Sequence, residues 1–345
     1  MRRESFEPNS PRTESAYRSP FVCNELISEY TFWVQIITFC PTDGNIQSKL
    51  KRVDEPQRYR DIKAVKFFIA VFLEVAAFVA FFRLVLPNMA QAEMHLPINL
   101  LIWTVLLGLP LSLFEYLYHR YLLHSAVLPF MAAMHRAHST HHGLTSVKAP
   151  VSPNEPEKLV PVINEFAVEE EHQEESMMFP LWSLPIFLAV FLILLGIPLK
   201  LIFPSQPMVL AVISTVTLCY VLYEVWHIVL HLPFERFWKP ATTRWLGKRV
   251  FRRMYSFHLM HHWRPSCNLA IVGFWGVAMW DYAFRTHRRP ERIPLPENHV
   301  TFHDAVLAQP LWPIRLLDSW KARSYKASRR FERFLARVFL RRETT

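Results

Sequence analysis

Four long apolar runs constrain the fold of this chain more than any other feature. They lie at residues 67–86, 96–116, 181–203 and 208–226. At about 1.5 Å per helical residue, each run is long enough to cross a hydrocarbon core roughly 30 Å thick. Backbone inside lipid must satisfy its own hydrogen bonds, which a helix does. We therefore predict an all-α, multi-pass membrane bundle of about four spanning helices in two hairpins.

The remaining segments suggest the domain boundaries. Residues 1–63 are polar and rich in Pro, Ser and Arg, which predicts a disordered N-terminal arm. Residues 64–290 form the expected membrane-embedded domain. Residues 291–345 form a basic tail whose apolar residues from 331 to 339 have helical spacing, as in amphipathic helices on anionic membrane surfaces. The apolar run at 269–280 is too short to span and predicts a re-entrant or interfacial helix.

The distribution of Lys and Arg predicts the orientation of the bundle. Eleven of these residues precede Phe67 and 22 follow Leu232, whereas the two hairpin loops at 87–95 and 199–207 hold one between them. Basic residues accumulate on the cytoplasmic side of membrane proteins. Both termini, and the histidines described next, are therefore expected to face the cytoplasm.

Charge and cysteine content exclude several other classes of protein. The net charge of +10 is not arranged as a basic stripe with interleaved aromatic residues, so we predict no nucleic-acid partner. The four cysteines have no C-x-x-C spacing, which argues against a zinc knuckle or a disulfide framework. No Gly-rich phosphate loop, Ser-His-Asp arrangement or HExxH helix indicates another chemistry.

Ten of the 16 histidines fall into two sets, each a pair followed by a triplet. The triplets have i, i+3, i+4 spacing, which on a helix places imidazoles close enough to share an ion. The first set is His119, His124, His138, His141 and His142, and the second is His227, His231, His258, His261 and His262.

This pattern predicts a binuclear metal site. Ten imidazoles are too many for one ion, whereas two ions with about five ligands each would keep a coordination position open, as catalytic sites do. The pair His119 and His124 is five residues apart, so either a helix ends between them or a π-bulge turns one of them inward. A histidine-ligated metal pair at a membrane surface suits O₂ activation and oxidation of a lipid C–H bond.

The motifs HRYLLH, HSTHH, HIVLH and HLMHH resemble the histidine boxes of the fatty acid hydroxylase/sterol desaturase superfamily, over residues 96 to about 286. The resemblance implies a helical membrane bundle with a cytosol-facing helical cap, and a di-iron oxygenase that oxidises a membrane lipid. It implies that all ten histidines are ligands, to iron in the working enzyme and to zinc in some isolated preparations. His135, Asn268 and Asp281 are candidate supporting residues behind the ligands. The expected membrane is the endoplasmic reticulum in a eukaryote or the inner membrane in a bacterium.

Two alternatives remain open from the sequence. A membrane fatty-acyl or sterol desaturase has similar boxes and the same kind of metal pair. A non-catalytic metal- or lipid-binding membrane protein is the alternative of a different class, and the intact box set argues against it.

An oxygenase of this kind needs electrons from elsewhere. The chain has no G-x-G-x-x-G fingerprint, no cysteine set for an iron–sulfur cluster, and no histidine before Phe67 that could ligate haem. We therefore predict a separate donor, a cytochrome b5-like or ferredoxin-like protein with its reductase. The expected dock is a basic surface comprising Arg249, Arg252, Arg253, Arg285, Arg288 and Arg289.

Overall fold

The computed structural model describes residues 56–143, 152–161, 176, 178–232, 234–288 and 299–340. This part of the chain is mostly helical, with a single pair of two-residue strands. The predicted arm lies outside the described residues up to position 55, and helix α1 begins at Pro56. The α-helices are α1 (Pro56–Val85), α2 (Pro87–Met94), α3 (Pro97–Tyr118), α4 (Ala132–Gly143), α5 (Ser183–Phe191), α6 (Ile197–Ile202), α7 (Met208–Leu230), α8 (Lys239–Thr243), α9 (Lys248–Trp263), α10 (Met279–Ala283), α11 (Phe302–Ala305) and α12 (Trp312–Leu340).

Three π-helical turns and two strands complete the described elements. The turns are π1 (His119–Leu123), π2 (Leu192–Gly196) and π3 (Phe234–Trp238). Strand β1 (Val160–Pro161) pairs antiparallel with β2 (His299–Val300). Turn π1 continues α3 without a break, and π2 joins α5 to α6.

In the part of the chain that the structure describes, four helical segments are long and apolar enough to cross a membrane. They span Val65–Val85, Pro97–Leu123, Ser183–Ile202 and Met208–Leu230, within a few residues of the predicted runs except at the carboxyl ends of the second and fourth. Their outer surfaces are apolar and exposed, and Leu84 has a relative exposure of 82%. An exposed surface of this composition is the one that lipid would cover.

The core of the bundle lies between α3, α5 and α7. Leu107 and Leu111 of α3 and Leu184 and Leu188 of α5 are buried in one cluster with residues of α7, among them Val212. Pro110 lies inside α3, which continues on both sides of it. This packing places α3 beside α7, and each of these helices has predicted ligands at its carboxyl end.

A buried ion pair closes the end of the bundle where α7 begins. The Glu93 carboxylate is 1% exposed and accepts the backbone N–H of Leu210 at 2.9 Å. Lys200 Nζ lies 2.8 Å from the same carboxylate. A carboxylate placed here satisfies otherwise unpaired N–H groups at a helix N-terminus.

The C-terminal helix α12 is held to the bundle by polar contacts. Arg120, in π1, donates to both carboxylate oxygens of Asp318 at 3.1 and 2.7 Å. Ser328 Oγ donates to the Val127 carbonyl at 2.6 Å. Trp312 and Phe334 of α12 are exposed, so a face of the helix that carries large apolar side chains is not buried on the protein.

The predicted re-entrant or interfacial helix at 269–280 is wrong. Apart from α10, which begins at Met279, this segment is irregular, and an isolated bridge joins Phe274 to Val277. Gly273 has φ +57°, and a Cβ there would meet the Val277 carbonyl. The carboxylates of Glu115, more than 150 residues away, and of Asp281, directly after the segment, accept its backbone N–H groups, so these groups have no need of helical hydrogen bonds.

Candidate metal centre

The two histidine pairs lie at the carboxyl ends of two of the spanning segments. His119 begins π1 and His124 follows it, with the His124 N–H donating to the His119 carbonyl at 3.2 Å. Of the two alternatives for this pair, the structure shows the π turn. His227 lies in the last turn of α7, and His231 caps its carboxyl end. Both pairs therefore emerge at the same kind of position, where a spanning helix ends.

The two triplets lie on separate helices. His138, His141 and His142 are on α4, and His258, His261 and His262 are on α9. The rings of His142 and His262 stack with centroids 4.3 Å apart, so the triplets face each other. All ten histidines predicted as ligands come together in one cluster.

Within this cluster the ten histidines form two groups of five. In each group the candidate ligand atoms all lie within 4.8 Å of one another. Site A comprises His119, His124, His138, His142 and His261, and site B comprises His141, His227, His231, His258 and His262.

The two groups differ from the two sets read along the sequence by one exchange. His141 belongs to site B and His261 to site A, so each triplet contributes its middle member to the other site. On a helix, residues i and i+4 are about 40° apart, whereas i+3 lies about 60° to the other side of i. The i, i+4 pair therefore faces one site, and the i+3 residue faces the neighbouring one.

The nitrogen positions in site A fit a shared cation better than a hydrogen-bond network. His138 Nε2 lies 3.1 Å from His119 Nε2, 3.2 Å from His124 Nε2 and 3.1 Å from His142 Nε2. A neutral imidazole carries one N–H, so His138 Nε2 can pair with at most one of the three as a donor. Two nitrogens bound to one ion at about 2.0–2.1 Å, at angles of about 90–110°, lie roughly 2.8–3.4 Å apart.

Site B shows the same convergence. His258 Nε2 lies 2.7 Å from His231 Nε2 and 3.1 Å from His262 Nε2, and His227 Nε2 lies 3.0 Å from His141 Nε2. All five of its imidazoles are buried. Imidazole ligands of this number and closeness suit iron, zinc or copper.

Burial keeps the clustered imidazoles neutral. Outside the spanning segments, desolvation lowers the pKa of His138, His141 and His258 well below the usual histidine value, and repulsion from neighbouring imidazoles lowers each pKa further. For His261 desolvation lowers the pKa to about 4. Neutral imidazole is the form that offers a lone pair to a metal.

The three predicted supporting residues are outside both groups. His135 Nδ1 lies 2.6 Å from the Leu123 carbonyl, directly before His124. Asn268, with φ +53°, donates to the Phe257 carbonyl at 3.0 Å. Asp281 is fully buried, and desolvation raises the pKa of its carboxyl. His135 and Asn268 thus contact the carbonyl groups directly before two predicted ligands, and Asp281 accepts backbone N–H groups, so none of the three joins the ligand set.

Glu115, one turn before His119, has a structural role that the sequence did not predict. Its carboxylate accepts the N–H groups of Ile271, Val272 and Gly273 at 2.6, 2.9 and 2.8 Å. The only available signal was its position four residues before the first histidine. The chain contains no indication of which N–H groups, more than 150 residues away, it would meet.

The exposed surface near α9 bears several of the arginines predicted to form the dock. Arg249, Arg252 and Arg253 are exposed on α9, and Arg285 is exposed beyond α10. Arg288 donates to the His303 carbonyl at 2.9 Å, and Arg289 lies outside the described residues. On α9 the arginine positions are opposite the histidine positions, because the two sets lie roughly 180° apart around the helix.

Comparison with known proteins does not identify this chain. No protein-family model matches it, and searches of curated proteins and of solved structures found no significant match.

Proposed function

We propose that this chain is an O₂-dependent oxygenase of the fatty acid hydroxylase/sterol desaturase superfamily that hydroxylates a C–H bond of a membrane lipid. The observation that carries the proposal is the convergence of ten imidazoles in two groups of five, with one pair at the end of each of two spanning helices and the triplets on α4 and α9. The motifs of the sequence support the same family. The proposed location is a cellular membrane, with the metal site on the cytoplasmic side.

The donor set fits two iron ions. Five neutral imidazoles would hold each ion and leave a coordination position for O₂ or another exogenous ligand. Iron held there would supply O₂ activation, which the side chains alone cannot provide. The histidines themselves would bind and orient the ions, and their burial would limit the access of water to the ions.

The membrane bundle is the reason for proposing a lipid substrate. Helices α3 and α7 run directly into His119 and His227, so the site lies where the apolar surface of the bundle ends. A lipid in the adjacent leaflet could present a carbon to the site without leaving the bilayer. The hairpin arrangement and the cytosol-facing cap implied by the family are part of this proposal.

The electron balance requires a partner. Hydroxylation converts R–H, O₂, two electrons and two protons into R–OH and water. Reduction of O₂ takes four electrons, of which the C–H bond supplies two, so the other two must come from a donor. We propose an acidic cytochrome b5-like or ferredoxin-like carrier that docks on the exposed arginines of α9. Since the opposite side of α9 carries ligands of both sites, such a carrier would be separated from the metals by one helix, about 10 Å across.

The test of the function is product analysis with the reconstituted protein. The purified chain in lipid vesicles, loaded with Fe²⁺ and supplied with O₂, a carrier, its reductase and NAD(P)H, should add one oxygen atom to a lipid. The matched control is His262→Ala, which removes one ligand from α9 and should abolish the product. Loss of two hydrogens without added oxygen would show a desaturase. Absence of any lipid product with a full metal complement would favour a non-catalytic protein.

The carrier proposal has its own test. Charge reversal at Arg252 and Arg253 should raise the apparent KM for the carrier severalfold, because electrostatic attraction speeds docking. Charge reversal at Arg330 and Arg333, exposed on α12, is the control for a general loss of positive charge. Equal effects of the two pairs, or no effect at α9, would rule out this dock.

A further inference from the structure

The irregular segment Cys267–Gly273, which we call the support segment, is held by two carboxylates. The Asp281 carboxylate accepts the N–H groups of Leu269 and Ala270, each at 3.0 Å. Glu115 accepts the next three N–H groups, as described above. Five consecutive backbone N–H groups therefore donate hydrogen bonds to two carboxylates, which fixes the path of this backbone.

The carbonyl groups of the support segment hold two ligands of site A. His119 Nδ1 lies 2.5 Å from the Leu269 carbonyl, and His261 Nδ1 lies 2.8 Å from the Cys267 carbonyl. A carbonyl can only accept, so each Nδ1 carries the proton and each Nε2 keeps its lone pair for a metal. The support segment thus selects the tautomer and the ring orientation of both ligands.

Two histidines of site B have no carbonyl partner for their Nδ1 atoms among the described residues. Within the described part of the chain, Nδ1 of His258 and Nδ1 of His262 are buried without a hydrogen-bond partner. The same is true of His142 in site A. Carbonyl or carboxylate partners of ligating histidines typically change metal affinity by about 10- to 100-fold each.

We propose that Glu115 and Asp281 are positioning residues for site A, and that they make site A the tighter of the two metal sites. They act through the support segment on His119 and His261 and do not contact the ligand nitrogens themselves. This inference rests on the metal sites of the proposed function. It does not depend on which reaction occurs there.

The experiment is a titration of the metal-free, detergent-solubilised full chain with Co²⁺ alone, followed by visible absorption. The wild type should bind in two steps that differ at least about tenfold in affinity. In Glu115→Gln the side chain keeps one acceptor oxygen but turns an NH₂ group towards a backbone N–H. The first step should therefore weaken about 10- to 100-fold, so that the two steps approach each other.

The matched control is Glu93→Gln. Glu93 is also a carboxylate that accepts a backbone N–H, and it lies at the end of the bundle away from the ten clustered histidines. This variant should leave both binding steps unchanged. When Glu115→Gln is combined with His262→Ala, which removes a site B ligand, it should still weaken Co²⁺ binding to site A. When it is combined with His124→Ala, which removes a site A ligand, it should have no further effect on the first binding step.

Each outcome decides one question. If the wild type binds two Co²⁺ ions and folded Glu115→Gln binds them equally well, the positioning role is wrong and the proposed function stands. If the wild type binds no Co²⁺, the proposed function fails with it. Should Glu115→Gln not fold, Asp281→Asn provides the same test through Leu269 and Ala270, and an unchanged first step there would overturn the inference.

Discussion

The exchange of histidines between the triplets allows the two candidate metal sites to be tested separately by mutations at neighbouring positions. His141 and His142 are adjacent on α4 but belong to site B and site A, respectively. His261→Ala combined with His142→Ala removes two ligands from site A. His261→Ala combined with His141→Ala removes one ligand from each site. The two double variants differ only in which neighbour on α4 is changed.

The expected magnitude follows from the energy of metal ligation. Structural zinc sites with four ligands bind with about 10–16 kcal/mol, or roughly 2.5–4 kcal/mol for each ligand. Loss of one ligand should therefore weaken a site by roughly 10²- to 10³-fold, since each 1.4 kcal/mol is about tenfold. Removal of a second ligand from an already weakened site changes its occupancy little further.

The assay is metal analysis of purified protein after equilibration at a fixed free metal concentration that just saturates the wild type. The wild type should retain about two ions per chain, and the same-site double variant about one. The cross-site double variant should retain close to none, because both sites are weakened by roughly 10²-fold or more. Equal metal content in the two double variants would refute the assignment of His141 and His142 to different sites.

Three further predictions test topology, stability and metal dependence. Single cysteines at Gln91 and Thr140 should label from opposite sides of the membrane, as charge bias requires, and labelling from the same side would contradict it. Asp318→Ala leaves the largely buried Arg120 without its carboxylate partner, so it should lower the free energy of unfolding by roughly 2–4 kcal/mol. Glu155→Ala, which breaks an exposed ion pair, should lower it by at most about 1 kcal/mol. Equal losses in thermal unfolding experiments would refute the argument. Removal of bound metal by chelation should lower the unfolding temperature, and readdition should restore it, because a metal that binds only the folded state stabilises it.

The spanning helices could be predicted from sequence because their signal is local. Run length and hydropathy place the fourth span at residues 208–226, and the structure has Met208–Leu230. The difference lies at the carboxyl end, where polar ligands follow the apolar run without ending the helix. Composition detects lipid-facing residues, whereas a helix ends where its hydrogen bonds end.

The candidate ligands were predictable as a set but not as two sites. Histidine spacing is visible along the chain, so His138 and His142 could be assigned to one face of a helix. The exchange of His141 and His261 depends on how α4 and α9 face each other, which no local pattern encodes. The prediction of a helix at 269–280 is wrong for the same reason, since Glu115 meets this segment only in the folded chain.

The exchange of ligands also has a consequence for assembly. Each half of the chain contains five of the ten histidines, yet neither half alone contains all five ligands of either site. If the chain were cut between α4 and α5 and the two fragments were produced separately, each would lack at least one imidazole for every ion. Only the reassembled pair of fragments would supply all five imidazoles to each ion, so metal retention would report whether the two halves have associated.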